Sequence, residues 1–254
     1  VVMLQLFKIE VSRLFSEIKT YLLDNLVGIA DDVLICTGIL VGVGSDFFPG
    51  RSQEYALIGM ILWRVTIVSL QTSCGIVQKE LRLGTLEQLM LSNYSFLKLL
   101  IVRLEAKMLV ESCKLFFSTI VIMLMFNIKI YSKINFGLFI LVLLVSCIGT
   151  FGMGFVVAGI ALVYKKAVAL VNSISYFILF FTGTLIPLEM LPKVFSPIAK
   201  ALPFIWAVNT IQENQLGRSF LLLMILSITW VAFGVGVFKF CNSKILLTGA
   251  AGKY

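Results

Sequence analysis

Few side chains in this sequence are equipped for chemistry, and the most conspicuous stand inside apolar runs. Asp24, Asp31 and Asp32 fall within one such run, about 22–43, and Arg64 lies near the middle of the next, about 55–75. Ionisable groups placed in hydrocarbon are costly, so each is a functional candidate by default. Asp24 and Asp31 are seven residues apart with Gly28 between them, which puts both on one helix face. Three readings of the aspartates stay open. They line a path for a cationic or amphipathic substrate; they pair with Arg64, Lys107 or Lys114 on neighbouring runs; or Asp24 belongs to the interface because the run begins near Leu26. Two aspartates on different spans could also share a proton and act as acid and base, the chemistry of an intramembrane protease. The stretch Gly42-Val43-Gly44-Ser45-Asp46 has one residue too many for a GxGD motif and falls at the edge of its run.

A second group sits in a polar stretch, QKELRLGTLEQLMLSN, residues 78–93. Leu86, Leu89 and Met90 repeat at i, i+3, i+4, while Glu80, Arg82 and Glu87 remain available to a partner. This pattern suits a short amphipathic helix with Gly84-Thr85 as its turn and cap, either presented to another protein or lying flat on lipid headgroups.

Other chemistry is excluded by residue type. There is no histidine, hence no histidine base, proton relay or metal ligand. Cys36, Cys74, Cys113, Cys147 and Cys241 are scattered singly in or beside apolar runs, as small buried hydrophobes rather than metal ligands or disulfides. No GxxxxGK[ST] phosphate loop occurs; the tail GAAGKY has the wrong spacing. The chain is therefore expected to bind no metal and no nucleotide of its own.

The elements that must hold these residues follow from composition. Of 254 residues, 59% are hydrophobic and 13% charged, about half the charge of a soluble domain. Mean hydropathy is +1.03. A spanning helix takes about 20 apolar residues, and six such runs are present, at about 22–43, 55–75, 106–127, 136–163, 167–186 and 219–241. The chain reads as one all-α integral membrane domain over 1–254. Residues 1–21 carry Leu4, Phe7, Val11, Leu14, Phe15 and Ile18 at helical spacing, an amphipathic helix for the membrane interface. Residues 76–103 form a polar connection, and 187–218 a longer apolar one broken by Pro187, Pro192, Pro197 and Pro203. Short helices dipping back into the membrane would satisfy that backbone better than exposed coil. With the N-terminus inside, the inner loops hold twelve lysines and arginines and the outer loops six, which places both termini in the cytoplasm. The net charge of +8 arises from residues flanking apolar runs and forms no stripe for nucleic acid. Gly38-x-x-x-Gly42 and the glycines of the fourth run, Gly149, Gly152, Gly154 and Gly159, suit close helix contacts within the bundle or across a dimer. Phe177, Phe180 and Phe181 face either a dimer partner or lipid.

Two of these stretches carry a family resemblance. Glu80 followed by Gly84-Thr85-Leu86-Glu87 resembles the coupling segment of type 2 ATP-binding-cassette (ABC) exporter permeases. Gly183 and the run IPLEMLPKVFSPIAKALPFIWAVNTIQ, with Pro187, Leu188, Glu189, Pro192, Pro197, Ile198 and Pro203 in place, is similar to that family's extracellular segment before the last span. The resemblance implies six transmembrane helices, an interfacial N-terminal helix, a cytoplasmic coupling helix and re-entrant extracellular helices. It implies a permease subunit in the plasma membrane that pairs with an identical or different permease. A separate cytoplasmic ATPase, carrying ATP and Mg, would be contacted by Glu80, Gly84, Thr85, Leu86, Glu87 and Met90. The proline pattern leans towards drug and antibiotic exporters. The aspartates are not part of the family's pattern. The alternative is a membrane anchor or scaffold that binds a cytoplasmic partner and transports nothing.

Overall fold

A computed structural model describes residues 2–44, 53–91, 95–128, 135–164, 167–181 and 192–248, and every regular element among them is helical. In chain order they are α1 (Val2–Thr20), α2 (Leu22–Gly44), α3 (Gln53–Leu83), α4 (Leu86–Leu91), α5 (Phe96–Phe126), α6 (Phe136–Tyr164), α7 (Val168–Phe181), α8 (Ser196–Ala201), α9 (Pro203–Glu213) and α10 (Arg218–Thr248). Five of these, α2, α3, α5, α6 and α10, are long and apolar enough to cross a membrane. The expected span at 167–186 is represented by α7, whose 14 residues reach about 21 Å; residues 182–186 lie outside the described part.

The third helix is the axis of the bundle. It touches α2, α5, α6, α7 and α9 and buries residues all round, from Ala56 and Leu57 through Trp63 to Val77 and Leu81. Such a helix needs apolar or internally bonded side chains on every face. Thr66 donates to the Leu62 carbonyl at 2.8 Å, Ser69 to the Thr150 carbonyl at 3.0 Å, and Trp63 Nε1 to the Ser175 carbonyl at 2.8 Å. At 31 residues α3 is about 46 Å long against roughly 30 Å of hydrocarbon. Twenty residues from Gln53 reach about residue 72, so its last turns, Glu80 included, project beyond the apolar layer.

Against α3 stands α6, and on α6 packs α10, the two running in the same direction with their backbones almost touching. A Cβ on Gly152 would strike the Trp230 and Val231 backbone, and one on Gly234 the Gly152 carbonyl. Gly149 meets Ser227, Gly159 meets Phe238, and Gly154 faces Ser69 and Ser73 of α3. The glycines of the fourth run thus serve contacts inside one chain. Nothing approaches within 4 Å of where a Cβ would stand on Gly38 or Gly42.

The first helix differs in one respect from its sequence reading. Part of its apolar face covers α5: Leu14 is buried with Ala106 and Val110, and Phe7, Val11 and Ile18 pack beside them. Leu4, Ile9 and Phe15 remain exposed. Backbone bonds Tyr21 N to Glu17 O (2.9 Å) and Asn25 N to Tyr21 O (3.1 Å) carry helical bonding from α1 into α2. The polar connection 76–103 is likewise largely helix, because α3 continues to Leu83 and α5 begins at Phe96. Extending a helix satisfies each added backbone group, which a long exposed loop would leave to water.

In the connection before the last span, α8 and α9 carry Pro197 and Pro203 in their first turns, where a missing N–H costs nothing. Pro203 meets α6 at Gly149, about 20 Å along α6 from Phe136. From that depth α9 returns about 16 Å to the end where Asn214 accepts from the Asn135 backbone N–H at 3.3 Å and Glu213 from Ser219 at 2.6 Å. Among the described residues, α9 thus runs from mid-bundle back to that end. Two indoles hold its floor: Trp206 donates to the Lys200 carbonyl and Trp230 to the Ala201 carbonyl, both at 2.9 Å. They satisfy carbonyls that the end of α8 leaves open.

Candidate functional site

Glu80 is the hub of the α3–α4 corner. Gly84 sits at φ +67, and the bonds Thr85 N to Glu80 O (3.2 Å) and Gly84 N to Leu81 O (3.3 Å) close the end of α3. This is the left-handed glycine stop, in which six-to-one and five-to-two bonds satisfy the last carbonyls. The turn brings Thr85 back over α3. Its hydroxyl donates to Glu80 Oε2 rather than capping α4, while its carbonyl accepts from Leu89 N at 3.0 Å. The other Glu80 oxygen accepts from Arg103 of α5, and Arg103 Nε donates to Glu10 of α1 at 3.0 Å. Glu10 also pairs with Arg13 at 2.7 Å.

Glu80 is only 6% exposed, so it is not the surface contact that its sequence pattern suggests. Burial pushes its carboxyl up, but the hydrogen bonds from Thr85 and Arg103 outweigh that and hold it below the ordinary value. Leu86 is buried beneath α4 and belongs to the main core with Leu81, Phe96 and Leu100. One carboxylate therefore fastens four elements: α3, the start of α4, α5 and, through Arg103, α1. The side chains of Glu87 and Met90 lie outside the described residues. Arg103 and Glu10, which sequence reasoning passed over as flanking charges, complete the lock. The signal for them was a basic residue in the third turn of α5 with no acid three or four residues away on the helix.

The intramembrane charges form a second cluster. Asp32 accepts from Arg64 at 2.7 Å. Glu111 holds both Lys107, at 3.0 Å, and Lys114, at 2.9 Å. Of the readings open for the aspartates, the ion pair holds for Asp32; the two lysines belong to Glu111 instead. Asp24 and Asp31 are exposed, and neither has an ion pair among the described residues. A cavity of about 410 Å³ runs through the cluster between α2, α3 and α5, lined by Asp24, Asp32, Arg64, Lys107, Glu111 and Lys114 among others. Among the described residues no three His, Cys, Asp or Glu side chains converge as metal ligands. The outer group lies elsewhere. Pro192, Pro197 and Pro203 lie in the connection that holds α8 and α9, and Gly183, Pro187 and Glu189 fall outside the described residues.

The helix pattern agrees with one sequence comparison. The family model of the ABC-2 type transporter matches residues 14–216. The chain belongs to the ABC-2 type transporter family. It is accordingly a multi-pass membrane permease of an ABC transporter. The match takes in α2 to α9, the Glu80, Thr85 and Arg103 part of the lock and the charged cavity, and ends just before α10. No curated protein matches the chain in sequence. As an ABC-2 permease the chain is a membrane transport component, and Glu80 with Arg103 and Asp32 with Arg64 stand at joints between its helices.

Proposed function

We propose that this ABC-2 permease is half of an ATP-driven exporter, paired with a second permease and powered by a separate cytoplasmic ATPase that docks at α4. The observation that carries this reading is the Glu80 lock. A push on α4 cannot be absorbed by the turn at Gly84-Thr85, because Thr85 is tied through Glu80 to α3 and through Arg103 to α5 and α1. A docked ATPase that holds α4 differently in its two nucleotide states would bias the arrangement of three long helices together, a population shift rather than a new contact. Glu80 on this reading is a positioning residue, and Leu86 anchors α4 to the core. Glu87 and Met90 are the candidates for direct contact. With α4 facing the cytoplasm, the re-entrant α8–α9 segment closes the opposite side of the path.

The test is co-purification in mild detergent from native membranes, with a tag on the C-terminal tail. An ATPase subunit recovered with the chain, and lost when residues 80–90 are scrambled, supports the reading; a distinct second permease would appear in the same sample. Recovery of no nucleotide-binding partner, while other membrane complexes survive, sinks it and leaves the scaffold. Glu87→Lys is expected to insert normally and to transport nothing, and normal transport by that variant would remove α4 as the docking element.

A further inference from the structure

The residues that α2, α3 and α5 turn towards one another are sorted by depth. The apolar span of α2 is Leu22–Gly42, which places Asp24 at one boundary of the apolar layer and Asp32 at its middle. About twenty residues cross that layer. Counted from Gln53 on α3 they end at Thr72, and counted back from Phe126 on α5 they end at Lys107, so both stand at the boundary of Asp24. From this mouth inward the 410 Å³ cavity continues along one face of each helix. Gly28 and Asp32 line it from α2, Val68 and Arg64 from α3, and Glu111 and Lys114 from α5. Beyond the midplane the same three helices close on an apolar cluster, where Leu40, Leu57, Met60, Ile61 and Ile122 are buried together. One half of this three-helix unit is hollow and charged; the other half is filled and apolar.

The charges of the hollow half balance one another. Asp24, Asp32 and Glu111 line it with Arg64, Lys107 and Lys114, and Asp32 pairs with Arg64 as Glu111 does with both lysines. Such a lining selects no ligand by charge; what it needs is solvation. A guanidinium has five N–H donors and an ammonium three, more than the paired carboxylates take up, and the side chains of Arg64 and Lys107 remain 27% and 35% exposed. Hydrocarbon fills none of those bonds, and ionised groups at membrane depth face the bundle interior or a water-filled cavity. One water needs about 10–15 Å³ and two to four polar partners, and the cavity supplies both many times over. We propose that this is an aqueous half-channel. Water and small hydrated solutes enter it at the end that bears α4, reach the Asp32–Arg64 pair about 12 Å inside the membrane, and stop beneath the apolar cluster. Hydration lets two charges hold α2 to α3 at the midplane, and the packed half keeps the membrane sealed. The half-channel belongs to one chain and stands whether or not that chain exports anything.

The experiment is thiol labelling of the full chain in membrane vesicles, with a charged, membrane-impermeant methanethiosulfonate applied from one side at a time. Each chain carries a single cysteine. Lys19→Cys, at the mouth end, identifies the side. Gly28→Cys, with open space where its Cβ would stand, is expected to react from the side that labels Lys19→Cys and to be inert from the other. The control is a chain that keeps Cys113 alone. That thiol is exposed on α5, lies outside the cavity lining, and stands six residues in from Lys107 as Gly28 does from Leu22. A thiol against lipid stays protonated and only the thiolate attacks, so Gly28→Cys is expected to react at least about tenfold faster than Cys113. Ile61→Cys, within the apolar cluster, is expected to resist the reagent from both sides. Equal rates for Gly28→Cys and Cys113 overturn the proposal, as does labelling of Gly28→Cys from the side opposite Lys19→Cys. Labelling of Ile61→Cys overturns the sealed end. Val68→Cys, which lines the same cavity from α3, decides the matter where Gly28→Cys fails to insert: it is expected to react from the Lys19→Cys side, and an inert thiol there overturns the proposal as well.

Discussion

Arg103 bears on stability more than any other single side chain at the α3–α4 corner, because two carboxylates depend on it. Removing one member of a buried pair strands the other. Arg103→Ala leaves Glu80 buried without its strongest partner, at a cost on the order of 2 kcal/mol, below the ~3–5 kcal/mol of a fully buried pair because Arg103 is 20% exposed. Thermal unfolding in detergent checks this, and Glu80→Gln, which keeps one acceptor oxygen for Arg103 and turns its NH2 towards the Thr85 hydroxyl as donor, is expected to unfold closer to the parent. The Asp32–Arg64 pair makes a different point. Arg64→Leu alone strands Asp32 inside the membrane and destabilises, whereas Arg64→Leu with Asp32→Asn is expected to recover most of the loss, since exchanging a whole pair for apolar or neutral groups is often neutral. A double-mutant cycle on unfolding midpoints measures the coupling, and additive losses would show that the pair contributes nothing.

At the scale of elements, the α6–α10 contact depends on absent side chains. Gly152→Ala and Gly234→Ala each place a methyl group against backbone that no rotamer change can move. Ordinary overpacking costs about 1–3 kcal/mol, and these two are expected at the upper end or beyond it. Gly38→Ala, with open space around it, is expected to be neutral or to gain up to about 1 kcal/mol from helix propensity. The fraction of monodisperse protein after solubilisation, followed by its unfolding midpoint, separates the three variants. If Gly152→Ala behaves like Gly38→Ala, the two helices do not meet as described. The third helix shows the complementary case: it spans more than the membrane and is buried all round, so its polar residues are placed by neighbours on every side rather than by one amphipathic stripe.

Orientation belongs to the whole molecule. The end bearing α4 also carries the start of α2 and the ends of α6 and α10, where most of the lysines and arginines collect, which predicts that it faces the cytoplasm. In a chain freed of its own cysteines, Lys19→Cys is expected to react with a membrane-impermeant maleimide only after the cells are opened. Lys193→Cys, just before α8, is expected to react in intact cells. The reverse labelling would turn the molecule over and move the proposed ATPase dock to the wrong side.

Much of this architecture is written in local pattern. Twenty-residue apolar runs need no tertiary context to become helices in a membrane, because the backbone has no other way to satisfy its polar groups there. The short helices α8 and α9 were legible for the same reason: prolines in an apolar connection leave short helices as the available solution. The Gly84-Thr85 stop was legible as a turn as well. Which charge meets which was not. Lys107 and Lys114 were open to Asp24, Asp31 or Asp32, yet both pair with Glu111, four and three residues away on α5 itself, a spacing already present in the sequence; only the packing of α2 against α3 gave Asp32 to Arg64. Glu80 read as a free surface acid until Thr85 folded back and Arg103 arrived from α5 to bury it. An apolar run declares its own environment because burial is a property of each residue in it. A buried charge takes its meaning from a partner contributed by another helix, and in this chain that is decided when the helices pack.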